Sequence, residues 1–504
     1  MVNKSPLFQR RTAGVLLHPT SLPCSESWWD KNCGKAFGTL GKDAYSFIDF
    51  IAQAGLSIWQ MLPTGPTQAD MSPYQSISAH AGNPDLISLD RLLDKGWIRA
   101  GDVQQVGERS LIYARQQGAL SFYQFLESDA AADTRRQFQI FCEQQNYWLD
   151  DFALFSALRT EFDNASWNTW PIELRRRDKL ALDEFRKKLA PAINAVLFEQ
   201  FAFFTQWQDL KLYANERGIS LFGDMPIFVG HDSADVWAQQ HYFQLDEIGN
   251  PLTVAGVPPD YFSETGQHWG NPHYAWDAMV ADGFQWWLAR LRTQLQLFDL
   301  IRIDHFRGFE AYWEIPGDTH DARLGKWVKA PGEAFLKACF EAYPGLPLVA
   351  ENLGVITEEV EALRNQFELP GMLVLQFAFD GNTNNPHLPH NHSRSDVIYT
   401  GTHDNDTTVG WYQSLPEQSR NQLQHYCFNS VDKIPWLLIE TALASVGRMA
   451  IIPMQDFLEL DGGHRMNMPG TTDKNWVWTF SWDQVEPTLA DHIRQLLTAY
   501  HRLS

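Results

Sequence analysis

The sequence has few cysteines, and they follow no pairing pattern. The five residues Cys24, Cys33, Cys142, Cys339 and Cys427 are an odd number and include no C-x-x-C pair. A disulfide framework or a structural zinc site needs paired, suitably spaced cysteines, so we expect neither. Scattered free thiols are typical of a reducing compartment, and we expect a cytoplasmic protein.

Long apolar segments and basic runs are also missing. No stretch of 18 apolar residues occurs, and the opening sequence MVNKSPLFQRR has no apolar core of a secretory signal. The chain carries 40 Lys and Arg against 61 Asp and Glu, a net charge of −21. We therefore expect no nucleic-acid partner and no membrane partner. The sequence leaves the oligomeric state open.

Aromatic residues, by contrast, are abundant. They form 13% of the chain and include 20 tryptophans. Many can be core residues, but exposed aromatic faces also stack on the apolar faces of sugar rings. The composition therefore favours, without establishing, a carbohydrate-binding function.

Three short apolar runs end at carboxylates. The run 300–303, apolar except for Arg302, leads into Asp304, the run 347–350 leads into Glu351, and the run 397–400 leads through Gly401 to Asp404. Unpaired charges at the end of a buried strand are costly, so one such run alone is also compatible with a structural ion pair. Three of them are typical of the catalytic mouth of a barrel enzyme.

Strand-like runs alternate with helical periodicity along most of the chain. The predicted strands are 13–17, 57–62, 219–222, 300–303, 347–350, about 373–379 (ending at Asp380), 397–400 and 448–455. Eight strands alternating with helices predict an α/β fold, a (β/α)8 TIM barrel with large, mostly helical insertions. We assign residues 1–63 and 219–504 to the catalytic barrel and 64–218 to a mostly helical insertion. Residues 230–275 are polar and rich in Gly, Pro and aromatics, and we predict a loop excursion over the active-site mouth.

The spacing of the carboxylates suggests a reaction class. Neighbouring strands lie about 4.8 Å apart, so Asp304 and Glu351 are expected roughly 5 Å from each other. That separation suits a retaining glycosidic mechanism, whereas an inverting pair needs about 6.5–9.5 Å to admit water. We expect the pKa of Glu351 to be raised by neighbouring negative charge and desolvation. No metal or phosphate-binding motif is present, and we expect neither a metal nor a cofactor.

Three segments resemble the catalytic regions of the α-amylase clan: RIDH at 302–305, AENLG at 350–354 and GTHDN at 401–405. Asn352 departs from this pattern, since many relatives have Asp there.

A narrower resemblance is to the 4-α-glucanotransferase family, which includes amylomaltases and disproportionating enzymes. It is carried by SPYQS at 72–76, GDMPIF at 223–228 and the segment 256–272, where His268 occupies a variable position. The similarity extends from HPTS at 18–21 to RMNMPG at 465–470, nearly the whole chain.

This resemblance implies roles for individual residues. Asp304 would be the nucleophile, Glu351 the acid and base at the 4-oxygen, and Asp404 would hold ring hydroxyls and stabilise the distorted sugar. Arg302 would orient Asp304 and keep it ionised. The further substrate-binding candidates are Tyr74, which would stack on the sugar, Asp224 and His403, which would hydrogen-bond it, Trp269 from the overhanging loop, and Asp380 and Asn467.

The implied reaction moves segments of α-1,4-glucan from a donor to the 4-hydroxyl of an acceptor glucose or maltooligosaccharide. An α-amylase-type hydrolase remains an alternative, because water can attack the same glucosyl-enzyme intermediate. A non-catalytic glucan-binding protein is a second alternative, against which the presence of all three carboxylates argues. Tyr74, Trp269 and His403 could instead serve in packing, and His18 is left out of the catalytic set because either function suits it equally.

Overall fold

The computed structural model describes residues 6–27, 37–103, 110–259, 264–427 and 434–503. Cys33, the first five residues and residues 260–263 of the predicted mouth loop lie outside these ranges. Cys24, Cys142, Cys339 and Cys427 are free thiols.

The strands of the described residues are β1 Thr12–Leu16, β2 Ile58–Gln60, β3 Ser220–Pro226, β4 Thr253–Val257, β5 Gln267–Pro272, β6 Leu300–Asp304, β7 Ala311–Pro316, β8 Lys326–Lys329, β9 Leu348–Ala350, β10 Met372–Val374, β11 Val397–Tyr399 and β12 Met449–Pro453. The α-helices are α1 Lys42–Ala54, α2 Leu89–Asp94, α3 Ala100–Val103, α4 Ser110–Leu126, α5 Ala132–Gln145, α6 Leu149–Glu161, α7 Ile172–Arg175, α8 Lys179–Lys188, α9 Ala190–Glu216, α10 Ala234–Ala238, α11 Trp276–Ala281, α12 Gln285–Leu297, α13 Gly332–Ala342, α14 Glu358–Gln366, α15 Thr408–Ser414, α16 Glu417–Tyr426, α17 Ile434–Ala444, α18 Met454–Phe457 and α19 Leu489–Ala499.

Eight of these strands form one parallel sheet in the order β10-β11-β12-β1-β2-β3-β6-β9. Every residue of β1, β2, β9, β10, β11 and β12 is buried, as expected of parallel strands covered on both faces. The order follows the chain around a barrel. α-Helices separate the successive barrel strands except β10 and β11, which are connected through 3-10 turns at Leu375–Phe377 and Pro389–Asn391. The predicted (β/α)8 barrel is confirmed.

Asn352 helps to close the barrel between β9 and β10. The Ala350 N–H donates to the Pro370 carbonyl (2.8 Å), and the Met372 N–H donates to Asn352 Oδ1 (2.8 Å). The Asn352 amide donates in turn to Glu361 Oε1 (2.8 Å). An Asp at position 352 would place its carboxylate against that of Glu361, and the two negative charges would repel each other. Asn352, which departs from the clan pattern, instead donates a hydrogen bond to Glu361.

The helices follow the predicted periodicity. In α1, Phe47, Ile48, Ile51 and Ala54 are buried on one face, and Gly55 at φ 80° ends the helix in the left-handed conformation that glycine favours. Helices α2–α9 occupy the chain between β2 and β3, and the delimitation of 64–218 as a separate insertion stays a prediction. Within the described ranges, no helix is both long enough and apolar enough to span a bilayer.

The segment 230–275 differs from the predicted loop excursion, because it contains α10, β4 and β5. A second, antiparallel sheet runs in the order β5-β4-β7-β8. Two of its strands escaped prediction because they are polar and partly exposed, namely β5 with the sequence QHWGNP and β8 with KWVK. The short apolar run of β4, TVAGV, lies within a segment rich in Gly and Pro, which is typical of a loop.

The sixth barrel strand is shorter than predicted. It ends at Val374, and a 3-10 turn at Leu375–Phe377 follows. Leu375 and Ala378 are fully buried, so the apolar run continues as a packed turn. The hydrophobicity of a short segment does not by itself distinguish a buried strand from a buried 3-10 turn.

Candidate active site

The carboxyl ends of β6 and β9 bring two carboxylates to the same level. Ile303 of β6 is the register partner of Ala350 of β9. Asp304 and Glu351, the next residue in each case, therefore leave neighbouring parallel strands side by side. The strand spacing of about 4.8 Å sets the separation of their backbones.

Arg302 links Asp304 to a further carboxylate, that of Asp224. Its Nη1 donates to both oxygens of Asp224 (2.8 and 2.7 Å), and its Nη2 lies 2.9 Å from Asp304 Oδ1. Burial lowers the pKa of Arg302, but Asp224 and Asp304 outweigh it and raise that pKa well above its ordinary value. The pKa of Asp224 is raised by burial, against the effect of Arg302. The guanidinium thus holds Asp304 through Oδ1.

Tyr74 joins Asp224 to His403. Its hydroxyl donates to Asp224 Oδ2 (2.8 Å) and lies 2.9 Å from His403 Nε2. The two rings stack with their centroids 5.3 Å apart and an interplanar angle of 18°. Burial and the charge of Asp224 raise the pKa of Tyr74 well above its ordinary value, so the hydroxyl stays neutral. Both oxygens of Asp224 already accept hydrogen bonds within the protein, from Arg302 and Tyr74. The hydrogen bond between Asp224 and a sugar stays a prediction.

Asp404 lies at the solvent-exposed side of the site. Its side chain is 49% exposed, and its Oδ2 lies 3.4 Å from His403 Nε2. The Asn467 amide donates to Asp404 Oδ1 (2.6 Å). An exposed carboxylate held by neighbours in this way can accept hydrogen bonds from the hydroxyls of a ligand.

Glu351 is buried and held by two backbone donors. The His305 N–H donates to Oε2 (2.7 Å) and the Leu353 N–H donates to Oε1 (2.8 Å). Burial and the charge of Asp304 raise the pKa of Glu351 to about 7, against Arg302 and the two backbone donors, which lower it. A carboxyl group with this pKa can give and take a proton near neutral pH.

Trp269 reaches the site from β5. Its ring contacts the His305 ring edge-on, with the centroids 4.9 Å apart. Its carbonyl accepts from the Gln75 amide (3.3 Å), which ties β5 to the segment that carries Tyr74. The antiparallel sheet thus positions the aromatic side chain that the sequence placed in an overhanging loop.

Asp380 does not join this group. The sequence placed it at the end of the sixth barrel strand, but that strand ends six residues earlier, at Val374. Asp380 is exposed, and its carboxylate caps a turn by accepting from the Asn382 N–H (2.9 Å). The predicted place of Asp380 at the end of a barrel strand is therefore wrong, and its predicted contact with substrate stays a prediction.

Three contributions to the site were missed from the sequence. The His305 backbone supports Glu351, Arg465 donates to the Asp404 carbonyl (2.9 Å), and the Trp476 ring lies 5.8 Å from that of Tyr74. His305 follows Asp304 directly and Arg465 lies two residues before Asn467, so their nearness in sequence to predicted site residues was a signal. Trp476 gave no signal among 20 tryptophans. Within the described residues, no three His, Cys, Asp or Glu side chains are grouped so that they could hold a metal ion.

Comparison with known proteins supplies an independent view of the chain. A family model described as 4-alpha-glucanotransferase matches residues 17–484. The chain is 47% identical to the 4-alpha-glucanotransferase of Thermus thermophilus over 507 residues, covering 98% of this chain and 99% of the relative. It is 45% identical to that of Synechocystis over 510 residues, with 98% and 99% coverage. Among solved structures it resembles the amylomaltase from Streptococcus agalactiae in complex with acarbose, with a TM-score of 0.92, 36% identity and coverage of 98% and 100%.

Proposed function

Because the chain belongs to the 4-alpha-glucanotransferase family, we propose that Asp304, Glu351 and Asp404 carry out its transfer reaction by a retaining double displacement. The enzyme moves segments of α-1,4-glucan from a donor to an acceptor. The arrangement of Asp304 and Glu351, level on neighbouring strands with Arg302 paired to the first, is the observation that carries the mechanism. Side chains that leave neighbouring strands at one level can bring their carboxyl groups to about 5 Å from each other, the separation of a nucleophile and an acid/base rather than of an inverting pair.

In the first half-reaction, Asp304 attacks the anomeric carbon of the donor through Oδ2, since Oδ1 is paired with Arg302. The bond to the 4-oxygen of the leaving segment breaks, and Glu351 gives that oxygen its proton. The product is a glucosyl ester of Asp304 and a shortened glucan. Asp404 holds hydroxyls of the reacting sugar and stabilises its positive charge in the transition state.

In the second half-reaction, Glu351 takes the proton of the acceptor's 4-hydroxyl. The resulting oxygen attacks the anomeric carbon, and the Asp304 carboxylate leaves. Esterification removes the negative charge of Asp304, which raises the pKa of Glu351 in the free enzyme. The pKa of Glu351 should therefore fall in the intermediate, which suits the change from acid to base.

Tyr74 and His403 form the floor on which the reacting sugar rests, and Trp269 faces it from β5. We propose maltooligosaccharides and longer α-1,4-glucans as substrates. The similarity to an amylomaltase solved with acarbose supports a cleft for oligosaccharides of that class. The free cysteines of the described residues support a reducing, cytoplasmic location.

Incubation with maltotriose tests the reaction class. Transfer yields glucose and longer chains while the number of reducing ends stays constant. Hydrolysis instead raises the number of reducing ends, and a glucan-binding protein without activity leaves maltotriose unchanged. The variant Asp304→Asn should abolish both half-reactions while retaining oligosaccharide binding.

A further inference from the structure

A cavity of about 190 Å³ lies between α6, α10 and α12, and we call it the side cavity. Its lining includes His80, from the segment that follows Tyr74, and Asp235 of α10. Gln285 also lines it and is exposed, so the side cavity opens to solvent. None of the described residues that line it belongs to the transfer site.

Two buried polar side chains lie close together in the side cavity without forming a hydrogen bond. His80 is 5% exposed and Asp235 is 6% exposed. His80 Nε2 lies 3.6 Å from Asp235 Oδ1, which is beyond hydrogen-bonding distance. Within the described chain, no hydrogen bond from another residue reaches either of these two atoms. Because buried polar groups without a partner cost free energy, this pair is suited to a bound hydroxyl group.

The protein holds the other polar atom of each of these two side chains. His80 Nδ1 lies 2.8 Å from Thr293 Oγ1, which in turn lies 2.6 Å from the Tyr147 hydroxyl. Asp235 Oδ2 accepts from the Ala79 N–H (2.7 Å). When Thr293 donates to Nδ1, the ring hydrogen of neutral His80 is on Nε2, on the side of Asp235 Oδ1. A single hydroxyl group can then accept from His80 and donate to Asp235 at the same time.

The charges around the side cavity favour a neutral ligand. Burial lowers the pKa of His80 to about 3, so its ring carries no positive charge near neutral pH. Asp151 and Asp235 both line the cavity, and two carboxylates disfavour an anion. Each carboxylate already has a cation nearby, because Arg177 Nη2 lies 2.6 Å from Asp151 Oδ1 and the charge of Arg290 acts on Asp235. A positively charged ligand is therefore not required either.

The size and the walls of the side cavity fit one sugar ring. Pockets for drug-sized ligands measure roughly 300–1,000 Å³, so a volume of about 190 Å³ suits a smaller molecule. The aromatic residues Trp148, Phe152, Tyr242 and Trp286 line it. Trp148 stacks on the His80 ring with the centroids 5.9 Å apart and an interplanar angle of 10°. A matching ligand has hydroxyl groups for the polar pair and apolar C–H faces for the aromatic wall, which is the chemistry of a pyranose.

We propose that the side cavity is a second carbohydrate site, which binds a single neutral hexopyranose such as glucose. One hydroxyl group of the sugar lies between His80 Nε2 and Asp235 Oδ1, and its ring lies against the aromatic wall. The site goes beyond the transfer function, because binding there needs neither the carboxylates of the barrel mouth nor turnover. Glucose is also the small product that transfer from maltotriose releases, so the reaction itself supplies a ligand of this class.

Crystals of the enzyme soaked in D-glucose locate the site directly. We expect sugar density in the side cavity, between Trp148 and the pair formed by His80 and Asp235. Water alone in the side cavity, at a glucose concentration that saturates binding in solution, would overturn the proposal.

Calorimetric titration with D-glucose tests binding in solution. Ala238→Leu, which fills the side cavity from α10, should bind one equivalent of glucose fewer than the wild type. Its kcat and KM for maltotriose should equal those of the wild type, because Ala238 is not part of the transfer site. The matched control is Ala338→Leu, a half-buried alanine of α13 outside the side cavity, which should bind as many equivalents as the wild type.

A second variant changes the polar pair instead of the volume. Asp235→Asn keeps an oxygen that can accept from the Ala79 N–H but loses the charge, so it should weaken glucose binding in the side cavity about 10-fold. Equal stoichiometry in Ala238→Leu and Ala338→Leu would overturn the proposal. If Ala238→Leu misfolds, an unchanged glucose affinity in Asp235→Asn would overturn it as well. A wild-type enzyme that releases reducing ends from maltotriose would contradict the transfer function and leave the count of bound glucose unaffected.

Discussion

The backbone N–H of His305 donates a 2.7 Å hydrogen bond to Oε2 of Glu351. The residue that follows Asp304, the proposed nucleophile, therefore supports Glu351, the proposed acid/base on the neighbouring strand. His305 achieves this with φ 52°, in the left-handed region that is uncommon for residues other than glycine. The backbone donors stabilise the carboxylate and burial disfavours it, so the pKa of Glu351 settles at about 7.

The pH dependence of transfer should report this balance. The first half-reaction needs protonated Glu351, whose pKa of about 7 means that it loses its proton as the pH rises through neutrality. We expect kcat/KM for maltotriose to fall tenfold per pH unit well above pH 7. Initial rates between pH 5 and 9 measure this limb. A rate that stays constant up to pH 9 would rule out Glu351 as the acid.

The stability of the Glu351→Gln variant should depend on pH in a defined direction. The pKa of Glu351 is raised from 4.5 to about 7 on folding, so the stability it contributes in the protonated form is present below pH 4.5 and lost as pH rises to 7. Above pH 7 the wild type carries a destabilising buried charge worth about 3 kcal/mol, which the variant lacks. Denaturant unfolding at pH 4.5 and pH 8 measures the difference in unfolding free energy between Glu351→Gln and the wild type. This difference should shift in favour of the variant at pH 8. An equal difference at both values would contradict the raised pKa.

Replacing Arg302 should damage both stability and activity. Arg302→Met leaves Asp224, which is 2% exposed, without its cation. Breaking a buried pair from one side costs about 3–5 kcal/mol, and Asp304 loses its orientation as well. Thermal unfolding and the maltotriose assay measure the two effects. The matched control is Arg323→Met, whose partner Asp321 lies on the surface (2.7 Å), and which should change neither.

Arg502 closes the opposite end of the barrel and should affect stability alone. Its side chain is fully buried, and it donates to backbone carbonyls where β1 begins and just before β12. The carbonyls it satisfies are those of Thr12, Ala442, Leu443, Ser445, Gly447 and Arg448.

We expect Arg502→Met to lower the free energy of unfolding by roughly 3–5 kcal/mol, since several buried acceptors lose their donor. The kcat/KM of the folded fraction should stay unchanged, because the active site lies at the other end of the strands. Arg494→Met is the control, since Arg494 makes a single exposed contact with the Gln53 carbonyl (3.3 Å). A large loss of specific activity in Arg502→Met would show that the two ends of the barrel are coupled.

The buried parallel strands and amphipathic helices were predictable, since each is defined by a local pattern of apolar residues. The run 300–303 became β6, and the mostly helical pattern predicted for 64–218 includes α9, in which Phe203, Trp207, Leu210 and Ala214 are buried at helical spacing. The antiparallel sheet was not predictable in this way, because β5 and β8 have polar sequences and are held by backbone pairing with their neighbours. Asp380 was misplaced because an apolar run does not mark where a strand becomes a turn.

The sequence by itself determined which residues could react, since a carboxylate at the end of an apolar strand must emerge at the mouth of a parallel barrel. Only the tertiary structure decided how those residues are tuned. The partners Arg302 and Asp224 lie 78 positions apart, and Arg465 and Asp404 lie 61 apart. Charge pairing, desolvation and ring contacts depend on distances across the folded chain, which local sequence does not encode. The raised pKa of Glu351 and the contacts of Arg465 and Asn467 with Asp404 therefore arise only once the barrel has closed.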